Sequence, residues 1–239
     1  MALVAFAKAK SWGLTTTVLA VAAWWPPERP LLIAELDPAG GDLAPRYGLS
    51  AEPGLVSLAA AARRNLTEEA VWDHAQTLPG DLRALLGPVS AEQAHAALSA
   101  VAGRLAGVTA AAGADVLADC GRLGPASPVG EVVERADLTV LVARPSAEEI
   151  AHLHSRLSAM RSLSRRLGLV LVGQHPYGPP EVGAALDVEV IGVVDDDAKA
   201  AAILSGRAPI PAGLRRSALM RSAREVAAAI QSRVSSAPA

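Results

Sequence analysis

The chain has 239 residues, of which 51% are hydrophobic and 19% charged, enough apolar material for a sizeable core and too much for a disordered polymer. A formal net charge of −2 creates no global field toward DNA or anionic lipid, so any such contact has to be local. The single cysteine, Cys120, excludes an internal disulfide, a four-cysteine zinc site and a redox pair, and no apolar run reaches the ~18 residues of a membrane span.

Residues 1–6 are apolar, but the first cations, Lys8 and Lys10, come after them, so the start is not read as a secretory signal and a soluble, cytoplasmic chain is expected. Aliphatic runs at 3–6, 31–36, 82–86, 115–119, 138–143, 169–172 and 189–193 read as buried strands bounded by Gly, Pro or Asp. Helical stretches at 15–23, 67–76, 91–105, 129–135, 147–163 and 180–185 lie between them, and two more, 197–204 and 214–230, close the chain. Ser90 and Ser146 precede acidic first turns, as N-caps do. Strands apolar on both faces that alternate with helices predict an α/β fold: a doubly wound, mostly parallel sheet flanked by helices. No internal repeat interrupts the pattern. One domain over 1–234 is expected, with 235–239 as a frayed tail.

The stretch from Phe6 to Thr17 holds the most chemistry. A strand runs into a small-residue loop and Thr15 opens a helix, the setting of a phosphate-binding loop in which backbone N–H groups and the helix N-terminus cradle an anion. Against Gly-x-x-x-x-Gly-Lys-Ser/Thr, Gly13 and Thr15 fill the second glycine and the hydroxyl. Lys8 stands at the first glycine and Leu14 at the lysine. The chain has only three lysines, and two of them, Lys8 and Lys10, lie here. Both also read as exposed cations ending a strand. Either one, from a shifted position, is a candidate for the missing charge.

Carboxylates end the next strands. Glu35 and Asp37 are expected to point to one side at the end of the second strand, where open α/β sheets hold their ligands. Asp119 ends the strand 115–119 and is followed by Cys120 and Gly121; an Asp in that place beside a phosphate loop commonly holds Mg²⁺. Capping of the next turn is the competing role for each. A loop, a carboxylate pair and a lone carboxylate thus follow one another in chain order.

Taken together, the loop at 8–16, Glu35-Leu36-Asp37-Pro38, Pro53-Gly54-Leu55 with the helix after it, Asp119-Cys120-Gly121, residues 136–142 and Asp195-Asp196-Asp197 resemble the ParA/MinD-like P-loop ATPases, including the CpaE/TadZ branch of pilus-placement proteins. The likeness covers nearly the whole chain. It implies a P-loop NTPase fold of the deviant Walker A type and a homodimer formed face to face around two ATP molecules. By position it implies that Thr15 binds Mg²⁺, Thr16 the α-phosphate, and that Asp37 places the attacking water. Asp119 would hold the metal through water, and Asp196 with its turn would lie near adenine. Lys8, Lys10, Ser11 and Gly13 would complete the nucleotide site.

The loop departs from the family pattern Lys-Gly-Gly-x-Gly-Lys-Thr-Thr, since residues 9–16 read Ala-Lys-Ser-Trp-Gly-Leu-Thr-Thr. Both family lysines are gone, Lys10 replaces a glycine and Trp12 adds bulk: a degenerate Walker A loop. Losing one charge-assisted phosphate contact costs ~1.5–3 kcal/mol of binding. The resemblance therefore implies a positioning or partitioning protein with weakened or lost hydrolysis, acting by dimerisation and through a partner of a pilus or secretion machine or a chromosome locus. The alternatives are an active ATPase using Lys8 or Lys10, and a metabolic ATP-dependent enzyme on the same scaffold. Arginines at 156, 161, 165 and 166 and at 215, 216, 221, 224 and 233 read as solvated faces, with nonspecific DNA or membrane contact as the functional alternative. Trp24 and Trp25 are expected in the core. His152 and His154, two apart on a helix, cannot share one metal.

Overall fold

The computed structural model describes residues 1–10, 13–63, 66–111, 114–124 and 126–235. Ser11, Trp12 and the last four residues of the expected tail lie outside the described residues. The chain opens with β1 (Leu3–Lys8) and α1 (Leu14–Ala22), followed by β2 (Leu31–Glu35), α2 (Leu43–Tyr47), α3 (Leu55–Ala62) and α4 (Glu68–Asp73). A hairpin of β3 (Gln76–Leu78) and β4 (Leu82–Leu85) precedes α5 (Ala91–Ala111) and β5 (Asp115–Arg122). Then come α6 (Gly130–Arg135), β6 (Leu138–Ala143), α7 (Ala147–Leu163), β7 (Leu167–Val172), α8 (Pro179–Leu186), β8 (Val190–Val194), α9 (Ala198–Leu204), a 3-10 turn (Leu214–Arg216) and α10 (Ala218–Ser235).

The strands form one eight-stranded sheet in the order β3-β4-β2-β5-β1-β6-β7-β8, parallel except for the antiparallel edge strand β3. Helices cover both faces. On one side α3 to α8 bury residues such as Leu58, Leu98, Val133, Leu153 and Val182; on the other α1, α2, α9 and α10 bury Leu14, Val18, Leu43, Leu204 and Ile230. Layers this close suit a chain whose core is largely Ala, Val and Leu. All seven expected strands form, and all eight expected helical stretches form, 147–163 with the expected bounds and the others with shifted ends. Helix starts follow local chemistry: the side chains of Thr67, Ser146 and Asp197 accept hydrogen bonds from the backbone N–H groups of Ala70, Glu149 and Ala200. Asp197 is therefore a cap and not the first helical residue.

Three departures matter. The helix expected over 67–76 stops at Asp73, because the Arg83 guanidinium of β4 donates to the carbonyls of Trp72 and Ala75 and turns Gln76 into an edge strand. The stretch 214–230 breaks at Ser217, whose hydroxyl accepts from the Met220 N–H, so α10 starts four residues later and runs on to Ser235. Trp25 enters the core, its indole N–H donating to Asp115 at 2.9 Å, but Trp24 does not. The Trp24 ring is half-buried under the guanidinium groups of Arg215 and Arg224, 4.8 and 5.5 Å from its centroid. No helix among the described residues is long and apolar enough to cross a membrane.

Candidate phosphate-binding site

The strand order decides which sequence features meet. β5 lies between β2 and β1, with Asp119 in register with Phe6 on one side and Glu35 on the other. The loop after β1, the carboxylate on β5 and the turn after β2 therefore open side by side at the carboxyl edge of the sheet.

Gly13 turns the chain into α1 with φ +100°, a conformation that glycine adopts without strain and that supplies no side-chain cap. The N–H groups of the helix's first turn thus point toward that edge. The buried carboxylate of Asp119 accepts from the Gly121 N–H at 3.2 Å, and the Thr15 hydroxyl lies close beside it. Burial raises the Asp119 pKa, and these two neighbours oppose the rise. Asp37 stands across from them, 3.8 Å from the ammonium of Lys8. Only a glycine allows that approach: a Cβ on Gly121 would collide with the Asp37 carboxyl group. Lys8, Thr15, Asp37 and Asp119 are brought together as the sequence implied.

The other expected residues have surroundings of their own. Glu35 lies near Asp119 but is engaged by backbone. It is 2% exposed and its carboxylate accepts from the N–H groups of Asp42, Leu43 and Gly87 at 2.6, 2.9 and 2.9 Å, tying the loop after β2 to the loop after β4. Burial pushes its pKa up to about 7, against the pull of those three donors. Lys10 is exposed and acts on Glu148 of α7. Leu14, at the position of the family's phosphate lysine, is 1% exposed and packs into the core. Thr16 meets the guanidinium of Arg46, Nη1 to Oγ1 3.4 Å. Asp196 pairs with Arg144 at 2.9 Å, and both line a cleft of about 660 Å³ with Gly173, Gln174 and Pro176, beyond the ends of β6, β7 and β8.

Among the described residues no group of three or more His, Cys, Asp or Glu side chains could hold a metal ion, so neither His152 nor His154 belongs to one. The donor set at Thr15 and Asp119 is hard oxygen and incomplete by itself. That fits Mg²⁺, which takes one or two protein oxygens and fills its shell with phosphate and water. Cys120 is fully buried and its thiol pKa is raised, chiefly by desolvation, which makes it a packing residue. Of the arginine clusters, Arg156, Arg161, Arg166, Arg221 and Arg233 donate to carbonyls or carboxylates across element boundaries, and Arg216 and Arg221 are exposed. Two contributors had no readable signal of their own: Glu35 as a tie between loops, and Arg46 beside Thr16. Gly41 leaves room for the Glu35 carboxylate, and Gly40 for the Val89 carbonyl.

Solved structures share this fold. A ParA family ATPase from Chlorobium tepidum TLS superposes with a TM-score of 0.77 at 16% identity, covering 95% of this chain and 97% of that one. The septum site-determining protein MinD from Pyrococcus horikoshii OT3, complexed with Mg-ADP, gives 0.73 at 17% identity over 95% and 94%. The ATP complex of a Cyanothece McdA variant gives 0.72 at 13% over 97% and 96%. No protein-family model and no curated protein matches the sequence. The architecture is that of the ParA/MinD P-loop NTPases.

Proposed function

We propose that the chain is a positioning or partitioning protein of the ParA/MinD kind that takes up a Mg²⁺-nucleotide at the start of α1 and hydrolyses it slowly or not at all, working by dimerisation and by binding a partner protein. The observation that carries the reading is the meeting of Thr15, Asp119, Asp37 and Lys8 beside the N-terminus of α1. It sets a hydroxyl and a carboxylate where an anion and its metal would sit. The sharing of this fold with a MinD–Mg-ADP complex, a MinC:MinD complex and a plasmid partition protein supports the general kind. Leu14 supports the weakened hydrolysis: its side chain is core, so position 14 supplies no charge to the outer phosphates. The CpaE/TadZ likeness points to a pilus or secretion machine as cargo, with a chromosome locus as the other candidate. The Arg216–Arg221 surface is the place for a nonspecific DNA or membrane contact.

A second reading, a working ATPase, is favoured by one contact: Lys8 reaches Asp37 over the site, whereas Lys10 faces α7. Purified protein with Mg-ADP or Mg-ATP separates the two. At a hundredfold excess over Kd, nucleotide should add ~2.7 kcal/mol to stability, read as a raised melting temperature, without phosphate release. Sustained release that Lys8→Ala abolishes would establish the second reading. No shift with either nucleotide would remove both.

A further inference from the structure

At the start of α1, Leu14 is core and Lys8 is paired with Asp37, which leaves little loop charge for an anion there. A cation does reach the helix start from elsewhere. Arg46, on the short α2, extends its guanidinium to Thr16, the third residue of α1, with Nη1 3.4 Å from the Thr16 hydroxyl. Its Nη2 is anchored on Asp42 at 2.8 Å, one helical turn earlier. Asp42 is itself fixed, because its backbone N–H donates to the buried Glu35. The arginine side chain is only 18% exposed, so it is held in this direction and does not sweep through solvent.

We propose that Arg46 is a phosphate-binding residue of the site, replacing from α2 the charge that the loop has lost. The proposal rests on the reading of the α1 N-terminus as a nucleotide site. A phosphate accepting from the first-turn N–H groups of α1 comes within reach of a guanidinium already hydrogen-bonded to Thr16. Arg46 has five N–H donors and uses two on Asp42 and Thr16, so others are free for phosphate oxygen. The contact is charge-assisted and pre-arranged, which lowers the ordering cost of binding. Because Thr16 lies deeper in the helix than Thr15, Arg46 faces an inner phosphate and should serve di- and triphosphates equally. Asp42 lowers the net positive charge of the pair, and the arginine makes a softer site than a loop lysine would.

Equilibrium binding of Mg-ADP and Mg-ATP, measured at two salt concentrations, tests this. Arg46→Ala and Arg46→Gln should each weaken both nucleotides by about ten-fold or more and flatten the salt dependence, with the ligand-free melting temperature within a few degrees of the wild type. Arg46→Lys should recover part of the loss. If the wild type binds and Asp119→Ala binds poorly while both Arg46 variants bind as the wild type does, Arg46 has no such role and the nucleotide reading stands. If the wild type takes up neither nucleotide, both fall.

Discussion

Leu14→Lys, which places a lysine where the ParA/MinD-like loop pattern has one, tests what the buried leucine does there. Leu14 is 1% exposed in the core formed by α1, α2, α9 and α10, where its burial is worth ~1.5–3 kcal/mol. A lysine there either withdraws its ammonium toward the carboxyl edge and gives up that burial, or stays and loses its proton. The first is cheaper, and a loss of about 2 kcal/mol is expected in the ligand-free protein. For a chain of this length that lowers the melting temperature by roughly 4–8 °C. The same withdrawal aims the ammonium at the start of α1, where a charge-assisted phosphate contact adds ~1.5–3 kcal/mol, or about ten-fold to a hundred-fold in affinity. Scanning calorimetry with and without Mg-ADP should therefore find a variant that is less stable alone and gains more from nucleotide than the wild type. An unchanged ligand-free melting temperature would refute the packing argument. A lowered one with no gain in affinity would refute the placement of the anion.

Two further outcomes follow from the carboxylates. Glu35 keeps its proton in the folded chain up to about pH 7 and gives it up near its ordinary 4.5 when unfolded, so its contribution is greatest below 4.5 and is lost as pH rises to 7. The stability difference between wild type and Glu35→Gln, from urea midpoints, should shift on the order of 3 kcal/mol against the wild type between about pH 4.5 and 7.5; a constant difference would show that Glu35 titrates normally. Gly121→Ala, at φ +60° and with its new carbon on Asp37, should lower the melting temperature by a few degrees, about 1–2 kcal/mol, and open the Lys8–Asp37 pair, with nucleotide uptake kept. A melting temperature equal to the wild type would contradict the packing of Asp37 on that glycine.

The sheet was readable because its central strands are apolar on both faces, and no other element leaves that signature. Strand β3 was not: three residues, starting with Gln76, follow a helical pattern that only Arg83, a tertiary partner, cuts short. Thr15 and Asp119 were readable as a hydroxyl and a carboxylate at strand ends, and their meeting follows from β5 lying next to β1. The partners of Glu35 were not legible, because its three backbone donors come from two loops distant in sequence. Arg46 gave no signal because α2 is five residues long, contains Pro45 and has no periodicity to read. The loss of the loop lysine was plain in the sequence. That its replacement is core, and what stands beside Thr16 instead, required the fold.

The carboxylate of Glu35 has a mechanical consequence. With the Gly41 N–H donating to the Pro88 carbonyl at 2.7 Å, it rivets the segment leading into α2 to the turn that follows β4, and Gly40 and Gly41 leave no clearance between them. The two strips of backbone travel as one plate. A push on either one reaches Asp42, and through it Arg46, without passing through the loop at the start of α1.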